Sequence, residues 1–157
     1  MKKYLNKYFA GLFVTLATFD MGIKQHVEEN FKKGENKNTK VSKLVLRKVH
    51  NKGFCLNMLD KNPAVVRGTS AALCGAIGGY AYQIFCKRGK WLEKLGTTIL
   101  GAGAVSNTFD RLVRGYVVDY FGVEMKNSKL SKITANLADI YVLFGTMILL
   151  AAKGKKE

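Results

Sequence analysis

The sequence predicts an all-α integral membrane protein with four transmembrane helices. Three observations carry that reading. Four long apolar blocks are separated by charged stretches, the blocks lack the polar face of a surface helix, and Lys and Arg gather at particular block ends. The 157 residues suit one domain, and a 48% hydrophobic content is ordinary until its segregation along the chain is noticed. With 26 Lys plus Arg against 11 Asp plus Glu, the net charge is +15, which favours contact with phosphates or anionic headgroups without choosing between them. One Pro and abundant apolar residues argue against disorder. Three cysteines, Cys55, Cys74 and Cys86, form no C-x-x-C pair and point to neither a zinc knuckle nor a disulfide scaffold.

The first block runs from Tyr8 to Ile23 behind Lys2, Lys3 and Lys7. A bilayer core needs roughly 20 apolar residues, and a helix starting at Tyr4 supplies them while Lys7 snorkels toward the headgroups. No small-x-small cleavage site follows, so the block reads as a retained helix and not a signal peptide. The second block, Ala64 to Cys86, has Arg67 as its only charge and is rich in Ala and Gly, which let helices approach closely in lipid. The third, Leu95 to Phe109, is uncharged, and the fourth, Ile133 to Ala152, is uncharged except for Asp139. The resulting scheme is one domain over residues 1–157, with spans at about 4–23, 64–86, 92–111 and 133–152 and extracytoplasmic segments 24–63 and 112–132. A soluble bundle with unusually apolar core helices is the alternative.

Orientation follows from basic residues near the span ends. Lys2, Lys3 and Lys7, then Lys87, Arg88, Lys90 and Lys94, then Lys153, Lys155 and Lys156 fall on one side, which the positive-inside rule makes cytoplasmic, with both termini. The stretch from Lys24 to Lys61 disagrees, since it lies outside yet carries many lysines. Its length softens the conflict, because charges far from span ends weigh less on topology.

Ionisable residues in or beside a span cost about 2.5 to 3.5 kcal/mol on insertion scales and call for a role. Asp20 and Lys24, one turn apart, fit either an ion pair ending the first helix at the headgroups or a substrate contact. Asn107 and Asp110 share a helical face, and Arg111 adds a fork of donors; a helix-end cap with a salt bridge would use the same residues. Asp119 sits in Gly115-Tyr116-Val117-Val118-Asp119-Tyr120, a β-branched and aromatic segment that reads as extended chain. Asn136 and Asp139 lie in Asn136-Leu137-Ala138-Asp139, and a carboxylate one to two turns inside a span needs a partner from elsewhere. Asp119 and Asp139, both near the outer boundary, suggest an aspartic dyad, in which one carboxyl keeps a proton and the other deprotonates a water. Ion paths and structural pairs use membrane Asp residues too. His26 and His50 read as loop residues.

In order, Asp20-x-x-x-Lys24, Asn51-x-Gly53, Asn107-x-x-Asp110-Arg111, Gly115-x-Val117-Val118-Asp119-Tyr120 and Asn136-Leu137-Ala138-Asp139 resemble the motifs of the lipoprotein signal peptidase (signal peptidase II) family. The resemblance covers nearly the whole chain. It implies four transmembrane helices with a small extracytoplasmic β-cradle and loop. The implied activity is that of an aspartic endopeptidase of the bacterial cytoplasmic (inner) membrane, which cuts prolipoproteins before a cysteine carrying a diacylglyceryl group. Carried over by position, Asp119 and Asp139 are the catalytic pair. Asn107, Arg111 and Asn136 hold substrate backbone or the pair, and Asp20, Lys24, Asn51, Gly53, Asp110 and Ala138 support the pocket. No metal or other cofactor is expected, and the expected partners are the lipid-modified prolipoprotein and membrane lipid, with no nucleic acid and a monomeric chain. The family's pattern is departed from at Phe54, Cys55 and Leu56, where small residues and Phe usually follow the glycine, and at Ser106, where glycine is usual. The Lys-rich outer loop is also atypical. A non-catalytic paralogue binding lipidated peptides or anionic lipid is the rival expectation; a soluble nucleic-acid binder rests on the charge alone.

Overall fold

The computed structural model describes residues 2–39, 43–54, 58–123 and 133–154. In chain order these form α1 (Lys2–Asn30), β1 (Asn36–Asn38), β2 (Leu44–Asn51), α2 (Pro63–Cys86), α3 (Trp91–Val113), β3 (Val117–Val123), β4 (Thr134–Ala135) and α4 (Leu137–Gly154). The molecule is mostly helical with one small antiparallel sheet, its strands in the order β1-β2-β3-β4.

The helix α3 is central and packs against α1, α2 and α4. Its sequence explains why: Thr97, Thr98, Ser106, Asn107, Thr108 and Asp110 are all buried; Thr97 and Thr98 bond back to carbonyls of their own helix, while Ser106, Asn107, Thr108 and Asp110 find partners on neighbouring helices. Meanwhile Leu73, Phe109, Leu143, Phe144, Met147 and Leu150 are exposed. Apolar residues outside and polar ones inside reverse the order of a water-soluble bundle. Among the described residues, Leu137–Gly154 is the one helix long and apolar enough by its own composition to cross a membrane. The polar positions buried along α1 and α3 lower the mean apolarity of those helices without facing outward.

Small residues set the spacing of α3 and α4. A Cβ on Gly103 would run into the backbone oxygen of Ala138, and one on Gly145 would meet the Leu100 backbone. Both glycines therefore permit close approach of the two helices, and Gly103 does so beside Asp139.

The sheet caps one end of the helices. Period-two alternation along β3 turns Val118 and Tyr120 into a cluster with Val27 and Phe31 at the end of α1, which leaves Asp119 on the opposite face. In the β2–β3 register Val49 pairs with Asp119, and Asn51 pairs with Val117, so Asn51 and Asp119 are diagonal neighbours on one face.

Several element boundaries differ from the sequence reading. The first helix continues to Asn30, well beyond the expected end near residue 23, so Asp20 and Lys24 lie within it and not at its end. Apolar periodicity could not reveal this, because the last turns of α1 are polar and pack on strands. The fourth helix begins at Leu137 and not near 133, since Thr134 and Ala135 pair with β3 as β4. Asp139 consequently stands in the first turn of its helix and not one to two turns inside it. The segment expected to be extended around Asp119 is β3. His26 and His50, expected in loops, are in α1 and β2; His50 accompanies Glu28 at 2.9 Å and stacks on Tyr116 with ring centres 4.0 Å apart. Cys74 and Cys86 are free thiols, whereas Cys55 and Leu56, two of the noted departures, lie outside the described residues.

Candidate active site

The site forms where the sheet meets the start of α4. A helix N-terminus leaves backbone N–H groups without intrahelical partners, and here side chains from three elements satisfy them. Leu137 N donates to Tyr120 Oη at 3.0 Å, Ala138 N to Asp20 Oδ1 at 3.3 Å, and Asp139 N to Asn136 Oδ1 at 2.9 Å. Asp139 replies by accepting from Asn136 N at 3.1 Å, a reciprocal capping arrangement with Asn at the cap and Asp three residues on. The carboxylate is also favoured by the positive end of the helix dipole.

The same Asn136 reaches the second carboxylate. Its side-chain amide donates to Asp119 Oδ1 at 2.9 Å, while Asn51 Nδ2 and Thr134 Oγ1 donate to Asp119 Oδ2 at 3.1 and 3.2 Å. Burial, and then the nearby Asp139 charge, push the Asp119 carboxyl up to about 6, against the pull of these three donors.

On the helix side, Asn107 Nδ2 donates to Asp139 Oδ1 at 2.8 Å, and Asn107 Oδ1 accepts from Lys24 Nζ at 2.8 Å. Lys24 is fully buried, in ion pairs with Asp20 at 2.9 Å and Asp110 at 3.4 Å. Ser106 closes this cluster by donating to Asp20 Oδ2 at 2.5 Å and accepting from Lys24 at 3.0 Å. Tyr120 Oη donates to the other Asp20 oxygen at 2.7 Å, and burial together with the Asp20 charge raises its phenol. Asp110 Oδ2 accepts from Val118 N at 3.1 Å and so ties β3 to α3. The Asp20–Lys24 pair does not end its helix at the headgroups, and both side chains are fully buried. It is a dry internal brace that joins α1, α3 and the start of α4.

Arg111 approaches from above the end of α3. Its guanidinium donates to the Gly53 carbonyl at 3.0 Å and lies 5.4 Å from the centre of the Phe54 ring, while Gly53 N donates to Asn51 Oδ1 at 3.0 Å. The buried Arg111 Nε has no acceptor among the described residues.

All eleven residues singled out in the sequence thus fall into one connected region: Asp119 and Asp139 bridged by Asn136, Asn51 and Gly53 on one side, Asn107, Lys24, Asp20, Asp110 and Ala138 on the other, and Arg111 above. Three participants escaped the sequence reading. Thr134 sits in a short segment read as helix, Tyr120 was quoted for its β-propensity and within a motif but given no role, and Ser106 was noted only as a departure from the usual glycine. The hydroxyl of Ser106 fills the space between Asp20 and Lys24 where glycine would leave it empty. Among the described residues, no three or more His, Cys, Asp or Glu side chains gather in a way that could hold a metal ion.

This arrangement can be set beside known proteins. The family model described as signal peptidase (SPase) II matches residues 12–153, nearly the whole chain. The chain belongs to the signal peptidase II family. Its relatives include the lipoprotein signal peptidases of Lactiplantibacillus plantarum, 29% identical over 85% of this chain and 87% of that one, and of Vibrio parahaemolyticus, 30% identical over 93% and 88%. The fold is that of a solved bacterial membrane enzyme, determined by the in meso method at 2.3 Å resolution. The match has a TM-score of 0.80 at 20% identity and covers 95% of this chain and 88% of that one. As a signal peptidase II, the chain is a protease of prolipoprotein signal peptides and a membrane protein.

Proposed function

We propose that Asp119 and Asp139 are the two carboxylates with which this signal peptidase II hydrolyses diacylglyceryl-modified bacterial prolipoproteins before the lipidated cysteine. The observation that carries the reading is Asn136, which holds Asp119 with its side-chain amide and Asp139 with its backbone N–H. Two carboxyl groups held by one residue in a buried place resist joint ionisation, and burial first, then the Asp139 charge, raise Asp119. With one proton between them, the ionised partner takes a proton from water, the resulting nucleophile adds to the scissile carbonyl, and the protonated partner supplies the proton that the departing amine needs. Arg111 Nε, a buried donor with no acceptor among the described residues, is suited to the oxyanion that forms.

The same proposal places the chain as a single four-span domain of the bacterial cytoplasmic membrane. In it α1, α2, α3 and α4 cross the bilayer, both termini are cytoplasmic, and the sheet forms the outer cradle. The outward-facing apolar side chains and inward-facing polar ones support it. The substrate's acyl chains stay in lipid while its peptide lies across the ends of α3 and α4, and the working unit is one chain. The test is signal-peptide release from a lipid-modified prolipoprotein by purified protein in detergent. Asp119→Asn and Asp139→Asn each abolish release while the protein remains in the membrane fraction. Turnover retained by either variant overturns the pair, and binding without release by the unaltered chain would mark a non-catalytic binder.

A further inference from the structure

Far from the carboxylates, α1 and α2 both lean on α3 and leave an apolar groove of about 430 Å³ between them. Phe13, Ile77 and Val105 line its length, and Phe9 and Phe85 meet edge to face at 5.8 Å along it. Such a volume lies within the roughly 300–1,000 Å³ of ordinary ligand pockets. Apolarity alone would name no occupant. The decisive feature is Lys94, which is 5% exposed. Its ammonium donates to Asn6 Oδ1 at 3.2 Å and lies 5.5 Å from the centre of the Phe85 ring, so two residues of the groove hold it and neither is an acid. The neighbouring acid, Glu93, pairs with Lys90 at 3.0 Å instead. A buried ammonium with no carboxylate partner among the described residues calls for an anion.

Position identifies the kind of anion. Lys94 is 13 residues before Asn107 on α3, hence about 20 Å along the helix from the carboxylate pair. Exposed Trp91 and the exposed basic residues Lys87 and Arg88 flank it, as expected at a membrane interface. We propose that this groove binds an anionic glycerophospholipid of the leaflet opposite the carboxylate pair, with its phosphate on Lys94 and Asn6 and one acyl chain between α1 and α2. This rests on the membrane-spanning arrangement proposed above.

Gly78 allows a clean test, because it lines the groove and a Cβ there meets nothing within 4 Å. Gly78→Leu therefore starts a side chain into the groove from a Cβ that meets no neighbour, and it improves helix propensity. The full-length protein, purified and delipidated in detergent, is titrated with phosphatidylglycerol, with phosphatidylcholine of the same chains, and with glycerophosphate, and native mass spectrometry reads the retained ligand. The expected result is an affinity about fivefold higher for phosphatidylglycerol than for phosphatidylcholine, because the choline cation offsets the phosphate charge that meets Lys94, a loss worth about one basic contact. Lys94→Gln loses that preference, Lys94→Arg keeps it, Gly78→Leu loses retention of both lipids, and glycerophosphate alone does not bind. Equal affinity for both lipids, an unchanged preference in Lys94→Gln, or full retention by Gly78→Leu would overturn the site. Should Lys94→Gln not fold, the Gly78→Leu result decides by itself. Lipid retention is read independently of cleavage, so failure of this site and failure of the catalytic pair are separate outcomes.

Discussion

Lys24 Nζ stands 2.8 Å from Asn107 Oδ1, and that contact fixes which end of the Asn107 amide faces Asp139. An ammonium only donates, so it claims the amide oxygen and turns the amide nitrogen toward the carboxylate, 2.8 Å away. A charge inside α1 thereby orients a donor on α3 toward a carboxylate on α4.

Replacement of Lys24 by Met removes that constraint, leaves Asp20 buried without its cation and leaves Asp110 with Arg114 alone. Breaking one side of a buried ion pair costs about 3–5 kcal/mol, so Lys24→Met lowers the unfolding midpoint sharply in a detergent melt. Adding Asp20→Asn to it recovers part of the loss. A double variant as unstable as the sum of the two single changes would show that the residues are not coupled.

Loss of Asn136 acts on both carboxylates. Asn136→Ala removes an N-cap worth about 1 kcal/mol and takes from Asp119 one of its two amide donors, leaving Asn51. Misplacement of reacting groups by an ångström costs on the order of 10²-fold in rate, so kcat falls far more than stability does. Parallel measurement of kcat and the melting midpoint checks that disproportion.

The raised Asp119 carboxyl has consequences for pH. Its folded value of about 6 exceeds the ordinary 3.8, so its neutral form favours folding. That contribution is complete below pH 3.8 and fades as pH rises through 6, and the two-unit difference sets it at about 3 kcal/mol. Cleavage that depends on one shared proton declines over the same upper range. Asp139→Asn removes a negative neighbour and lowers the Asp119 value. A ¹³C-carboxyl titration of both proteins reads that shift directly, and an unchanged or higher value in the variant contradicts the coupling.

Close approach at Gly103 is open to a small change. Gly103→Ala drives a methyl group against the Ala138 backbone oxygen and displaces the start of α4. Overpacking of this kind costs about 1–3 kcal/mol, and because Asp139 follows directly, cleavage drops as well. Gly22→Ala, whose Cβ meets nothing within 4 Å, leaves cleavage unaffected, raises stability slightly through helix propensity and serves as the control.

The sequence exposed residue chemistry better than it exposed boundaries. Asp119, Asp139 and their partners stood out because charged and amide side chains interrupt or border apolar blocks, where each is expensive. The β-branched run of β3 was equally readable. The true ends of α1 and α4 were not, because Gln25–Asn30 are polar except for Val27 and are kept helical by tertiary packing, while Thr134–Ala135 join an apolar block that strand pairing removes from the helix. The dry setting of Asp20 and Lys24 was hidden too, since an i,i+4 pair looks alike whether water or Ser106 and Tyr120 surround it.

The capping of α4 has a temporal side. Asp139 belongs to the helix synthesised after every other helix described, and the groups that receive its first turn, Asp20 and Tyr120, wait on earlier parts of the chain. A polypeptide still emerging from the ribosome thus holds Asp119 without its companion. The proposed carboxylate pair is therefore complete only when the last helix is seated.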